Sequence, residues 1–195
     1  MNEILKVIDA LIGKAAESLA TSLKSYWPVA NPDYNSLKEA NLTFHLAIAA
    51  SHEGLLIYPE ASSNDINQRI DLLLRGHIAE QNISILIETK RLYSAEKARE
   101  IVTDYYKIIN FRFVNDAALG DSLIQTTTNY GVLLTLSTQV DHATWWLDPR
   151  EYIDDTGSWH ELRSILLGET IIKRGFREIK AARDQYIMYA IFKKP

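Results

Sequence analysis

Two short stretches hold the residues with the most chemical promise. "RIDLLLRG" (69–76) sets Asp71 among Ile70, Leu72, Leu73 and Leu74, and "ISILIETKRL" (83–92) sets Glu88 and Lys90 behind Ile85, Leu86 and Ile87. Both read as strands, and charged side chains are rarely buried there unless they are paired or bind a metal. Residues i and i+2 of a strand point to the same side, so Glu88 and Lys90 project together while Thr89 points away. If the two strands are neighbours, Asp71 lies close to both. Two carboxylates held together repel each other, and a cation resolves the conflict. Magnesium suits such a site: it takes hard oxygen ligands, is often held by one or two carboxylates, and keeps waters and phosphate oxygens. A water bound there can attack phosphorus, while a lysine beside it orients the water, accepts its proton or stabilises the pentavalent phosphate. The chemistry that fits is metal-assisted phosphodiester hydrolysis.

The flanking pattern shows what must position these groups. In "MNEILKVIDALIGKAAESLATSL", Lys6, Asp9, Lys14 and Glu17 fall at helical intervals, so the start reads as an amphipathic helix without the marks of a signal peptide. "YWPVANPDYNS" (26–36) separates it from a second helix, expected from Leu37 to about Ser51, where Ser36 and Glu39 form a capping box. Strands are expected at 54–60, 69–76 and 83–92, with hairpin-like spacing. "SAEKAREIVTDYYKIINF" (94–111) reads as a helix capped by Ser94, with Ala98, Ile101, Val102 and Tyr105 on one face, and "YGVLLTLSTQ" (130–139) as a fourth strand. The rest reads as a Trp-rich turn, a helix around 158–168, a basic segment and a final strand, "QYIMYAIFK". The expected fold is α/β, more narrowly α+β, with a mixed central sheet of four to five strands flanked by helices. One domain spans 1–195, with a helical extension over 1–30, the core over 36–139, and C-terminal helices and a final strand over 140–195.

Composition agrees with one soluble globular domain: 195 residues, 47% hydrophobic and 24% charged. There is no cysteine, which excludes disulfides, thiolate zinc sites and cysteine nucleophiles and suits a reducing cytoplasm. No stretch reaches the roughly 18 apolar residues that span a bilayer, so no membrane partner is expected. The net charge of −4 means that a nucleic-acid role needs a local basic surface or a metal ion.

"RID" (69–71) followed by "IETK" (87–90) resembles the PD-(D/E)XK nuclease superfamily, which has the restriction-endonuclease-like fold. Ile70 stands where the motif's proline would. That family's core runs helix, three-stranded meander, helix, strand, the order expected here over 36–139. The resemblance implies that Asp71 and Glu88 hold Mg²⁺, with Mn²⁺ as a substitute, and that Lys90 is the catalytic lysine. It also implies that Thr89 adds its backbone carbonyl, that Glu39 joins from the first core helix, and that Glu60 lies near the metal. The implied substrate is double-stranded DNA, cut by a homodimer in many such nucleases. Some relatives carry a glutamine and a tyrosine one turn apart on the next helix; here Ile101 and Val102 precede Tyr105 and Tyr106 by four residues, which points away from a RecB-like subgroup.

Other features are weighed against plain structural roles. Lys173, Arg174, Arg177, Lys180 and Arg183 concentrate positive charge, and on a helix 173, 177 and 180 would share a face, as phosphate-tracking residues do. A solvated helix face gives the same pattern. Glu39 is equally accounted for by its capping box. Histidines 45, 52, 77, 142 and 160 show no metal-ligand spacing, and His45 is expected as a hydrogen-bonded core residue. Trp145 and Trp146 would serve either as a base-stacking platform or as packing. Two functions follow: a Mg²⁺-dependent deoxyribonuclease, or a non-catalytic member of the same fold that binds nucleic acid or a protein partner. The geometry that separates them is whether the Asp71 and Glu88 carboxylates converge within a shared metal's reach with Lys90 alongside; divergence, or a Lys90–Glu88 pair in a closed pocket, favours the binding module. A coincidental motif in an unrelated α+β protein would leave 69–76 and 83–92 apart.

Overall fold

The computed structural model describes residues 3–30, 38–63, 68–113, 127–150, 157–180 and 185–194. Ser36 and Arg183 lie outside them. The chain runs α1 (Glu3–Ala30), α2 (Glu39–His52), β1 (Leu56–Ser62), β2 (Arg69–Ile78), β3 (Gln81–Arg91), α3 (Ala95–Asn110), β4 (Thr128–Ser137), α4 (Val140–Leu147), α5 (Gly157–Leu167), β5 (Ile171–Ile179) and β6 (Gln185–Lys193). The strands form one mixed sheet in the order β1-β2-β3-β4-β6-β5. β1, β2 and β3 make an antiparallel meander, β4 joins β3 in parallel across α3, and β6 and β5 continue antiparallel. Segments 69–76 and 83–92 are therefore neighbouring strands.

The apolar runs explain which strands are central. In β3, every residue from Ile83 to Thr89 is buried, and in β6 every residue from Gln185 to Phe192, as strands covered on both faces require. Alternate side chains divide into two cores. Ile83, Ile85 and Ile87 pack with α1 and α2, while Leu86 and Leu133 pack with α3, α4 and α5. Three layers result, helices on both faces of the sheet.

Several expectations change. α1 is no loose extension: Ile4, Ile8, Leu11, Ile12, Ala15 and Leu19 form a buried stripe on the sheet, and the helix continues to Ala30. The Trp-rich segment is the helix α4, with Trp145 and Trp146 buried, Trp146 donating from Nε1 to the Tyr189 carbonyl at 2.9 Å; both are packing residues. The basic segment is the strand β5, not a helix, so the sheet has six strands. As an edge strand it is half-exposed, and its mixed charges hide the alternation that would mark it. α2 begins at Glu39 with Lys38 as N-cap and no side-chain cap, so Glu39 stands at the first helical position rather than the third. α3 starts as expected, Ser94 Oγ accepting the Lys97 amide at 3.3 Å. His45 is buried and hydrogen-bonded to Ser18 Oγ at 2.8 Å. Among the described residues, no helix is long and apolar enough to cross a membrane.

Candidate functional site

The meander opens where its charged residues begin. The β2–β3 ladder runs from Ile78↔Gln81 to Leu72↔Ile87 and stops there. One further step in that register would set Asp71 opposite Glu88. On its other side, β2 pairs Leu72 with Pro59 and Ile70 with Ala61, skipping Glu60, whose φ of +52° is left-handed. Ile70 packs in the α3-side core and Leu72 in the α1-side core, so the strand turns over at Asp71. Irregularities of this kind re-aim a side chain.

Where β2 departs, the edge of β3 would expose alternate amides, and buried amides need acceptors. Two carboxylates supply them. Asp71 Oδ2 accepts the Thr89 N–H at 2.8 Å, and Glu39 Oε1, from α2, accepts the Arg91 N–H at 2.8 Å. Glu39 thus caps a strand rather than its own helix. Thr89 turns its side chain to α2, where Thr43 Oγ1 donates to its Oγ1 at 3.0 Å. Its carbonyl points the same way as its amide, toward Asp71. A cleft of about 450 Å³ lies here, lined by Glu39, Thr43, Phe44, Glu60 and Asp71 among others. Three expected acids, Glu39, Glu60 and Asp71, therefore share one cleft.

Glu88 and Lys90 point to the opposite face, under α3. Glu88 is only 2% exposed; Lys107 Nζ lies 2.6 Å from its Oε1 and 3.2 Å from Asp104 Oδ1. Lys90 Nζ stands 3.6 Å from Asp104 Oδ2 and 3.7 Å from Glu100 Oε2. Glu88 Oε2 and Asp104 Oδ2 accept no hydrogen bond from the described residues. Burial, then the charges of Asp104 and Asp71, push the Glu88 carboxyl up to about 8. Burial likewise raises Asp104. For Lys90, burial works against the ammonium, but Asp104, Glu39 and Asp71 outweigh it and its pKa is raised. Asp71 thus acts electrostatically on the α3 side while lining the α2-side cleft.

The donor set suits a hard cation. It consists of carboxylate oxygens and a backbone carbonyl, and it includes a buried Oε2 with no hydrogen bond. Among the described residues no three acidic or imidazole side chains enclose an ion by themselves. Magnesium is commonly held by fewer, with waters completing its shell.

Two groups were not anticipated. The sequence pattern sets Asp104 and Lys107 in an ordinary amphipathic helix. The signal was present: Asp104 follows Ile101 by three residues and precedes Ile108 by four, which puts an acid on the apolar face of α3. The basic segment lies elsewhere. Its strand β5 is the opposite edge of the sheet, four strands from β2, or roughly 19 Å at ordinary strand spacing. Lys173 and Arg177 face α1 and pair with Asp9 at 3.0 and 2.8 Å, while Lys180 is exposed beyond the strand. Arg174 is half-buried, and its Nη1 is buried without a hydrogen bond. The shared helical face expected of 173, 177 and 180 does not exist. Comparison of the chain with family models, curated proteins and solved structures finds no match.

Proposed function

We propose that the chain is a metal-dependent nuclease with a restriction-endonuclease-like core, hydrolysing DNA phosphodiesters at the fork between β2 and β3. One observation carries this reading: the ladder ends one pair short of Asp71 and Glu88, leaving both carboxylates where the strands part, with Lys90 two residues on. The order α2, β1–β2–β3, α3, then β4 parallel to β3 supports it as well.

Asp71 and Glu88 would hold Mg²⁺, with the Thr89 carbonyl at hand. The ion supplies positive charge beside the phosphate and makes a bound water more acidic. Lys90, ringed by Asp104, Glu39, Asp71 and Glu100, keeps its proton at neutral pH. Its role is therefore that of a fixed positive charge for the pentavalent phosphate, not of a general base. A second hollow of about 320 Å³, at the carboxyl ends of β3 and β4, is lined by Arg91, Tyr93, Ser137, Thr138 and Gln185. The Arg91 guanidinium lies over the half-exposed Tyr93 ring at 5.4 Å, a cation and an aromatic face suited to flanking nucleotides.

The test is cleavage of double-stranded DNA with Mg²⁺ or Mn²⁺ against a chelator control. Lys90→Ala should slow cleavage by about 100-fold or more. A variant that cuts as fast as the parent sinks the reading. A second reading, a non-catalytic binding module of the same fold, is favoured by two observations: Asp71 lines the α2-side cleft while Glu88 points under α3, and Lys107 pairs with Glu88 there. DNA binding without metal-dependent cleavage by the parent would select it.

A further inference from the structure

Lys107 is a second cation at this site, one that the motif does not account for. It bridges Glu88 Oε1 at 2.6 Å and Asp104 Oδ1 at 3.2 Å, between two carboxylates that are 2% and 5% exposed. Each of those carboxylates keeps a second oxygen without a hydrogen bond. An ammonium at such a point does what a divalent ion would do, drawing two repelling carboxylates together. Unlike an ion, it is tethered. The lysine stem is long and flexible, and this one is 23% exposed, so the head can move toward water while the stem stays against the protein.

We propose that Lys107 is the resident counter-cation of the site, that Asp104 is its second carboxylate, and that a divalent metal ion enters by displacing the Lys107 ammonium from Glu88. The inference rests on the nuclease reading for the identity of the metal. Geometry favours exchange over simple addition: the Lys107 ammonium already occupies the point between Glu88 Oε1 and Asp104 Oδ1 that a divalent ion would take. Like charges crowded in a low-dielectric layer are costly, so the lysine and the metal exclude each other. Lys107 thereby sets how tightly the site holds its metal, and keeps the carboxylates in register when none is bound.

The experiment measures Mn²⁺ binding to the DNA-free full chain by titration calorimetry, and thermal unfolding with and without Mn²⁺. Lys107→Met keeps the stem and removes the charge. It should bind Mn²⁺ about tenfold or more tightly than the parent, and its midpoint should rise more on adding Mn²⁺. Adding Asp104→Asn to that variant should abolish the gain. Lys107→Arg, which retains the cation, should bind Mn²⁺ no more tightly than the parent, and it serves should Lys107→Met fail to fold. Equal or weaker Mn²⁺ binding by Lys107→Met, or tighter binding by Lys107→Arg, overturns the proposal. If the parent cleaves DNA with Mn²⁺ while Lys107→Met binds it unchanged, the exchange fails and the nuclease reading stands. If neither protein binds Mn²⁺, both fall.

Discussion

Two charged clusters, one on each face of the sheet, are made from the same kinds of residue and behave in opposite ways. Under α1, Asp9 accepts from Arg177 at 2.8 Å and from the Tyr189 hydroxyl, and pairs with Lys173 at 3.0 Å. Burial works against that carboxylate, but its three donors outweigh it and the pKa falls below the usual value. The arrangement is shaped for this end: a methyl group at Gly175 would collide with the Tyr189 hydroxyl, so glycine there lets the ring reach Asp9. Under α3 the proportion is inverted. Glu88 and Asp104, with Asp71 acting on both, share Lys107, each keeps an oxygen that accepts no hydrogen bond, and both buried carboxyls are raised. One acid with three donors is a fastening between helix and sheet. Several buried acids with too few cations cost stability rather than adding to it.

The largest expected effect separates the clusters by activity. Asp71→Asn should lower metal-dependent DNA cleavage by about 100-fold or more, while Asp9→Asn should leave the rate of the folded protein unchanged. Loss of activity in both would mean that the distinction is false. Next comes stability. Asp9→Ala strands two cations and a tyrosine hydroxyl, and should cost about 2–3 kcal/mol in denaturant unfolding, with Mn²⁺ binding unaltered. The third comparison is pH dependence in the presence of a chelator. A carboxyl raised from 4.5 to about 8 stabilises fully below its unfolded value and loses that contribution as pH climbs through 8. The parent should therefore weaken between pH 5 and 9, and Glu88→Gln should remove on the order of 5 kcal/mol of that decline. Asp9 has the opposite sign: its lowered pKa gives stability that is present above pH 3.8 and lost in acid. An unchanged alkaline slope in Glu88→Gln would show that Lys107 fully compensates the acid. The smallest effect is Tyr189→Phe, which removes one donor to Asp9 and should cost about 1 kcal/mol without touching cleavage.

Much of this was legible in the sequence, and the gaps have physical causes. β2, β3 and α3 announced themselves because buried strands are continuous apolar runs and Ser94 is a good cap. The adjacency of the strands carrying Asp71 and Glu88 was legible, but not the turn-over at Asp71 that puts it in the α2-side cleft while Glu88 points under α3. β5 was hidden because an edge strand needs only half its side chains apolar, and Lys173 and Arg177 point inward to Asp9, where a period-two reading expects hydrophobic residues. α4 was hidden because adjacent tryptophans beside Pro149 look like a turn, whereas both rings are buried. Glu39 matched a capping pattern so well that its actual partner, a strand amide 52 residues away, left no trace in local sequence. Asp104 was visible as an acid on an apolar stripe with Lys107 one turn on, but Glu88 and Lys90, which complete the cluster, come from β3.

The bond between the Asp71 carboxylate and the Thr89 amide makes that one proton a gauge of the site's condition. While Asp71 accepts it, the Thr89 N–H is shielded although β2 no longer pairs with β3 there. Any ligand that draws the carboxylate away leaves the amide open to solvent exchange. Occupancy of the fork is thus written into the backbone of β3, where deuterium uptake at a single residue reads it without following catalysis at all.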